Sequence, residues 1–189
     1  MRIVAGALRG RPFVAPKGHS TRPTSDRTRQ AIFNVLEHAD WAPKLECARV
    51  IDLFAGSGAM GLEALSRGAA FCQFVERDEA AVAAIRTNIA SLGLTDRSAV
   101  DRRDATRLGV RAAGGPEADF AFADPPYGEA LGEAALAALL AGGWLAPNAV
   151  VVLEQGWRDA GPDLPGYHRL DERLWGAARV RFLRPRPPA

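Results

Sequence analysis

The chain has 189 residues, of which 48% are hydrophobic and 24% charged, with a formal net charge of +2, and this composition is ordinary for one soluble globular domain. No apolar run approaches the roughly 18 residues of a membrane span, and no signal-peptide segment is visible, so we expect a cytoplasmic protein. Cys47 and Cys72 form no metal-ligand or disulfide pattern, and we expect both thiols in the core.

The N-terminal part predicts an arm, a helix and a first strand. Short apolar runs within residues 2–16 predict a β-hairpin. Thr24 or Ser25 can cap a helix that ends near His38. Residues 48–55 form a continuous apolar run, which is typical of a parallel strand covered on both faces.

The rest of the chain alternates strands and helices. Strands are predicted over residues 71–77, 98–105 and 149–155, and residues 119–127 supply a further strand with DPPY extending from its end. A helix is predicted after the glycines, with Met60, Leu62 and Leu65 as its apolar positions, and two more over residues 78–93 and 129–143. Residues 167–175 and 177–185 indicate a closing antiparallel pair. The pattern predicts an α/β fold: a Rossmann-like, doubly wound, mostly parallel seven-stranded sheet with helices on both faces and antiparallel last strands.

Positive charge is concentrated at the two ends of the chain. Residues 1–29 carry a net charge of +6 and residues 173–189 one of +5, whereas the part between them carries −9. Basic ends around an acidic body favour a polyanion as partner. The alternative is that these arginines only solvate the surface.

A glycine motif follows the first parallel strand. Gly56, Gly58 and Gly61 have the spacing G-x-G-x-x-G, which is typical of a loop that binds a dinucleotide pyrophosphate. Glu76 stands where a ribose-binding acid is expected. A dehydrogenase also needs a second region for its substrate, and little of the chain follows the fifth strand. The glycine motif alone is therefore a weak indication of function.

The stronger motif is DPPY, residues 124–127, at the carboxyl end of the fourth strand. Open α/β sheets bind ligands at this edge, beside the glycine loop. Two prolines donate no ladder hydrogen bond, so the chain must leave the sheet with its carbonyls free. The alternative is a strand-ending turn with an aromatic plug.

In this order, DLFAGSGAMG, VER, RRDA and DPPY resemble the class I S-adenosylmethionine-dependent methyltransferases that act on exocyclic amino groups. With RPTSDRTRQAIFNVL before the first strand, nearly the whole chain is similar to the bacterial 16S rRNA guanine-N2 methyltransferases. Gln30 departs from that family, which usually has an acidic residue there.

The resemblance implies a role for each site residue. Asp124 and Pro125 would accept the hydrogens of the target amino group, with Pro126 in the same catalytic motif, and Tyr127 would stack on the flipped base. S-adenosyl-L-methionine would be bound by Asp52, Phe54, Ala55, Gly56, Gly58, Gly61, Glu76, Arg77, Asp104 and Ala105. The RNA would contact Arg2, Arg9, Arg11, Lys17 and Arg22, and no metal is required.

Within the cofactor site, Asp52 would reach the ammonium group and Glu76 both ribose hydroxyls. Asp104 would accept the adenine amino hydrogens, and Arg77 would flank the ring. Local hydrogen bonding at a strand end remains the alternative for Asp52, and a plain surface charge the alternative for Arg77 and Asp104.

The resemblance also divides the chain into a basic hairpin arm, residues 1–23, and a methyltransferase domain, residues 24–189. It implies a monomer whose partner is 16S rRNA in the small ribosomal subunit or its assembly intermediate. Three alternatives remain: a DNA amino methyltransferase acting on adenine N6 or cytosine N4, a methyltransferase of glutamine side chains, and a non-catalytic RNA-binding assembly factor. DNA enzymes usually have a separate target-recognition region, and the glutamine enzymes have Asn where this chain has Asp124.

Overall fold

The computed structural model describes residues 1–16, 25–126, 130–158 and 164–187. Its strands are β1 (Arg49–Leu53), β2 (Phe71–Glu76), β3 (Ser98–Arg102), β4 (Ala118–Ala123), β5 (Leu145–Gly156), β6 (Tyr167–Trp175) and β7 (Ala178–Pro185). They form one seven-stranded sheet in the order β3-β2-β1-β4-β5-β7-β6. β1 to β5 are parallel, and β7 is antiparallel to both β5 and β6. The predicted fold class is confirmed.

Helices cover both faces of the sheet. They are α1 (Asp26–His38), α2 (Ala59–Ser66), α3 (Glu79–Leu92) and α4 (Leu131–Ala141). The first three pack on one face, around Phe74, Phe122 and Phe182. α4 packs on the other face against Val151 and Leu153. Among the described residues, no helix is long and apolar enough to cross a membrane.

Local sequence signals set the ends of two helices as predicted. The Ser25 side chain caps α1 by accepting a hydrogen bond from Thr28 N at 3.0 Å. Asp78 caps α3 in the same way through Ala81 N at 2.8 Å. Gly93 ends α3 with a φ of 71°, a conformation that glycine adopts without strain. Of these two helices, α3 leaves the carboxyl edge of the sheet, directly after β2.

Some strand ends differ from the prediction because pairing decides them. β3 ends at Arg102 instead of 105, where its ladder with β2 ends, whereas β4 ends at Ala123, directly before DPPY, as predicted. β5 begins at Leu145 instead of 149, since Leu145 pairs with Ala118 ahead of a bulge. An apolar run in the sequence does not reveal where a partner strand stops.

The arm is part of the core. Its hairpin contains one antiparallel bridge, Arg2 to Pro12, and Phe13 N donates to Met1 O at 3.0 Å. Ile3 and Phe13 are buried in the cluster that also holds α1 and α2. The predicted boundary at residue 23 lies outside the described residues.

The two cysteines differ in environment. Cys72 is buried in β2, as predicted. The prediction for Cys47 is wrong, because this residue is exposed. It lies in the loop before β1 with a φ of 63°, and that turn directs its side chain away from the core.

Candidate active site at the carboxyl edge of the sheet

Three predicted carboxylates meet at one edge of the sheet. Asp52 lies in β1, Glu76 ends β2, and Asp124 directly follows β4. In the register of these parallel strands, Glu76 and Asp124 stand at the same level on either side of β1. The edge therefore brings three acidic side chains together around the end of one central strand.

Asp52 is the most buried of the three, with 3% of its surface exposed. Its Oδ2 accepts a hydrogen bond from Gly61 N at 2.9 Å. Burial raises the pKa of Asp52 to about 8; the Gly61 bond acts in the opposite direction, and the charges of Asp124 and Glu76 raise the pKa further. A cation placed beside this carboxylate would relieve its lost hydration.

The glycine loop brings α2 close to the sheet. Gly58 begins the helix with a φ of 80°, which a residue with a side chain rarely adopts. A Cβ on Gly61 would lie 2.4 Å from Phe74 Cε1 and 2.5 Å from Cys72 Sγ. Gly61 is therefore required for the contact between α2 and β2.

Glu76 fixes the loop and the following turn. Its Oε2 accepts from Gly56 N at 2.9 Å, and its Oε1 accepts from Arg77 N at 2.8 Å and Asp78 N at 2.9 Å. A carboxylate offers about four acceptor positions, so these bonds use most of them. The Glu76 side chain is partly exposed.

Asp104 follows β3 at the same edge. Its Oδ1 accepts from the Thr106 amide at 2.9 Å and the Thr106 hydroxyl at 2.8 Å. These two bonds lower the pKa of Asp104, and the positive charges of Arg77 and Arg107 act in the same direction. Asp104 is therefore an ionised acceptor at neutral pH, beside the buried Ala105.

The described part of the DPPY motif follows β4. Asp124 is partly exposed, Pro125 is buried and Pro126 is exposed, while Tyr127 lies outside the described residues. Pro125 packs against α4 at Gly132, where a Cβ would come within 3.2 Å of Pro125 Cγ. The sequence interpretation missed Gly132, although a glycine inside a helix is a signal of close packing.

A buried acid, Glu63, was also missed. Glu63 Oε2 accepts from Val4 N at 2.8 Å, and Oε1 accepts from Ala5 N at 2.9 Å. Arg67 Nε donates to Oε1 at 2.8 Å, and Arg29 Nε lies 3.4 Å from Oε2. One acidic residue in an otherwise apolar helix, four residues before an arginine, was the available signal.

Asn88 joins the arm to the glycine loop. Its Oδ1 accepts from Val14 N at 2.8 Å. Its Nδ2 donates to Val14 O at 2.9 Å and to Ser57 O at 3.0 Å. Asn88 is 1% exposed, so the bridge is shielded from water and orders both segments.

The family named conserved hypothetical protein 95 has a sequence model that matches residues 1–184. The chain belongs to this family. It is 36% identical to ribosomal RNA small subunit methyltransferase D of Escherichia coli (strain K12) over 183 residues, 96% of this chain and 88% of that one. It is 44% identical to YlbH of Bacillus subtilis (strain 168) over 131 residues, 68% of each chain. The solved structure of Escherichia coli yhhF superimposes with a TM-score of 0.82 at 32% identity, covering 98% of this chain and 97% of that one.

The family match and the 36% identity to ribosomal RNA small subunit methyltransferase D together confirm the resemblance that the glycine loop and DPPY predicted. The matched residues include every predicted site residue. Gln30, the predicted departure, donates through Nε2 to Asn34 Oδ1 at 2.7 Å and accepts from Arg67 Nη2 at 3.2 Å. An amide can both donate to Asn34 Oδ1 and accept from Arg67, whereas an ionised acid there could only accept.

The predicted RNA contacts lie on the surface of the arm. Arg2, Arg9 and Arg11 are exposed. Arg2 Nε lies 3.4 Å from Asp26, and Arg11 Nη2 donates to Ser91 O at 2.9 Å. The other two predicted contacts, Lys17 and Arg22, lie outside the described residues.

Two parts of the predicted basic surface are corrected. Arg29 is wholly buried, so its charge does not belong to the surface of the N-terminal region. In the C-terminal region, Arg179 Nη1 lies 2.8 Å from Glu172, and Arg173 lies 2.8 Å from Asp171. These acids, just before the basic stretch in sequence, reduce its charge because strand pairing places them beside it.

Proposed function

We propose that this chain transfers a methyl group from S-adenosylmethionine to the exocyclic N2 amino group of a guanine in 16S rRNA, the guanine 966 type. The observation that carries the proposal is the position of Asp124 and Pro125 at the end of β4, beside the edge where Asp52 and Glu76 meet. The near full-length similarity to a protein named ribosomal RNA small subunit methyltransferase D supports rRNA as the substrate.

The cofactor site fits a ligand that carries positive charge. Asp52 is buried and faces two further carboxylates, and S-adenosylmethionine has an ammonium and a sulfonium group. Asp52 would pair with the ammonium, Glu76 would bind the ribose hydroxyls, and Asp104 would accept from the adenine amino group. Phe54, Ala55 and Ala105 would border the ligand. When bound, the cofactor supplies an electrophilic methyl group.

The residues of DPPY would prepare the target nitrogen. The lone pair of a nucleobase amino group is delocalised into the ring, which makes the nitrogen a poor nucleophile. The Asp124 carboxylate and the Pro125 carbonyl would accept its two hydrogens and direct the lone pair out of the ring plane. This stabilises the positive charge that develops on nitrogen. Tyr127 would stack on the extruded base.

The arm would bind the phosphates around the target. Arg9 and Arg11 are exposed on the same segment, and contacts to phosphates are largely independent of sequence. We propose the small ribosomal subunit or its assembly intermediate as the substrate and a monomer in the cytoplasm as the active form. Small-subunit loops offer the unpaired bases on which sequence-specific RNA recognition depends.

The first experiment follows a labelled methyl group from S-adenosylmethionine into small-subunit particles that lack the modification, with mass spectrometry of the digested nucleosides. We expect N2-methylguanosine in one 16S loop. Label in DNA or in protein would support methyl transfer but would show that 16S rRNA is not the substrate. Binding to RNA without label in any acceptor would indicate an assembly factor.

Variants of two aspartates test the catalytic assignment. Asp124→Asn should keep cofactor affinity and lose more than about a hundredfold in turnover, because the neutral amide lacks the negative charge that stabilises the developing positive charge on nitrogen. Asp96→Asn is the control, since Asp96 lies in the turn before β3, at the amino end of the strands. Normal turnover of Asp124→Asn would show that another group accepts the amino hydrogens.

A further inference from the structure

Beyond Asp124, the carboxyl edge of the sheet is extended by β5 and by the β6–β7 hairpin. β5 pairs with β4 as far as Leu153, opposite Ala123, and then continues beside β7 to Gly156. This extension passes the level of Asp124 and places Trp157 beyond the carboxyl end of β4. Trp157 N donates to Ala177 O at 3.0 Å, which anchors it to the turn between β6 and β7.

Apolar surface is exposed at this extended edge. Trp157 is 51% exposed and Leu174, near the end of β6, is 60% exposed. Arg179 on β7, the strand between β5 and β6, pairs with Leu174 in the strand register and donates through Nη2 to Trp157 O at 3.1 Å. Arg179 therefore links Trp157, which follows β5, to Leu174 on β6. Hydrogen bonds that already hold the Trp157 backbone in the free protein reduce the conformational entropy lost on binding.

Positive charge accompanies the aromatic ring. The Arg158 guanidinium carbon lies 4.8 Å from the centre of the Trp157 ring, a cation-π contact at the surface. The nearby acids on β6 each lie within 2.8 Å of an arginine, Asp171 of Arg173 and Glu172 of Arg179. A polyanion approaching Arg158 therefore meets little net negative charge from β6.

We propose that Trp157, Arg158 and Leu174, here called the rim patch, bind an unpaired nucleotide next to the guanine that is methylated. The inference rests on the proposed function, because it takes RNA as the substrate. Trp157 stacks on the base, Arg158 contacts a phosphate and Leu174 packs against the sugar. An aromatic ring beside an arginine is the combination that binds unpaired bases.

RNA fits the rim patch better than a ribosomal protein does. The target base must leave its stack to reach Asp124, and this frees its neighbours from their own stacking. By the rise of about 3.3 Å per strand residue, Trp157 stands on the order of 10 Å from Asp124, within the reach of an adjacent nucleotide. Stacking accepts every base, so the patch contributes affinity and positioning more than sequence selection.

The test compares aromatic, aliphatic and control variants with the methylation assay on small-subunit RNA. Trp157→Ala should raise KM for the RNA about tenfold and leave kcat and cofactor affinity unchanged. Trp157→Phe keeps a ring and should retain most of the affinity. Val110→Ala removes an exposed side chain from the loop that leads to the amino end of β4, and should change nothing.

Binding measured without turnover gives an independent readout. RNA binding of Arg158→Ala should depend less steeply on salt, by a slope of about 0.7 for one phosphate that is no longer neutralised, and Arg158→Lys should restore the slope. RNA should quench tryptophan fluorescence of the wild-type protein more than that of Trp157→Phe, although three other tryptophans remain.

Several outcomes overturn the rim patch while leaving the proposed function intact. The first is a KM for the RNA in Trp157→Ala that equals the wild-type value. The second is an equal increase of this KM in Trp157→Ala and Trp157→Phe, which would indicate a structural role. An increase of KM in Trp157→Ala with assembled particles but not with protein-free RNA would indicate that the rim patch binds a ribosomal protein. Failure of the proposed function is distinguishable, because the wild-type protein would then label DNA or protein, or nothing.

Discussion

Arg29 and Glu63 form an ion pair inside the protein, with Nε and Oε2 3.4 Å apart and neither side chain exposed. Glu63 also accepts hydrogen bonds from the amides of Val4 and Ala5. One carboxylate therefore joins α1, α2 and the arm. Removing Glu63 leaves the buried Arg29 with a single carboxylate partner, Asp26, whose Oδ1 lies 2.8 Å from Arg29 Nη2, and breaking a buried ion pair is strongly destabilising.

Glu63→Gln should therefore lower the free energy of unfolding by about 3 kcal/mol. Urea denaturation measures the change. Glu117→Gln is the matched control, because Glu117 is partly exposed and lies 3.4 Å from Arg111 at the surface. Such a surface pair contributes less than about 1 kcal/mol. Similar changes in both variants would mean that the buried network does not hold the arm.

Asp52 should make stability depend on pH. The folded protein keeps the Asp52 proton up to about pH 8, whereas an aspartate in the unfolded chain loses its proton at about pH 4. Between these values the folded state binds more protons, so the free energy of unfolding should fall as the pH rises from about 4 to about 8. Urea denaturation at several pH values in this range measures the slope.

Asp52→Asn is the control for this pH dependence. The amide does not titrate, so the variant should lose the part of the slope that Asp52 contributes. An identical slope in the wild-type protein and the variant would assign the pH dependence to other groups.

Gly61→Ala should destabilise the protein by about 1–3 kcal/mol, the usual range for overpacking a core. The new methyl group would lie 2.4 Å from Phe74 Cε1. Phe74→Leu removes part of the obstructing ring and should restore some stability when the two changes are combined. A double-mutant cycle measures this coupling, and strictly additive effects would contradict the steric explanation.

Arg9→Ala combined with Arg11→Ala should weaken RNA binding and reduce its salt dependence, while cofactor affinity stays unchanged. The salt slope should fall by about 0.7–0.9 for each phosphate that the arm no longer neutralises. Lys44→Ala is the control, because Lys44 is an exposed cation in the segment between α1 and β1. If the arm variant binds RNA as tightly as the wild-type protein over a salt series, Arg9 and Arg11 are not part of the RNA interface.

Much of the fold was predictable because its signals are local. The alternation of apolar strands with periodic helices indicated the sheet, and Ser25 and Gly93 indicated two helix ends. The glycine loop and DPPY could be placed at one edge, since both follow parallel strands. Local propensity and the parallel topology agreed at these positions.

The parts that were not predictable depend on distant partners. The sequence around Arg29 predicts a surface arginine, whereas in the fold its burial is compensated by Asp26, three residues before it, and by Glu63 on another helix. Cys47 is apolar enough for the core, yet its exposure follows from a positive φ that its neighbours do not specify. The arm's packing likewise depends on Asn88, which lies far along the chain.

The bridge from Asn88 to Val14 also sets the order in which the chain can fold during synthesis. The arm leaves the ribosome first, but its partner is 74 residues further along. At about 5–20 residues per second, translation takes on the order of 4–15 s to cover this separation. The first segment to be made therefore waits until α3 has been synthesised, and an N-terminal fragment that stops before α3 lacks the side chain that joins the arm to the glycine loop.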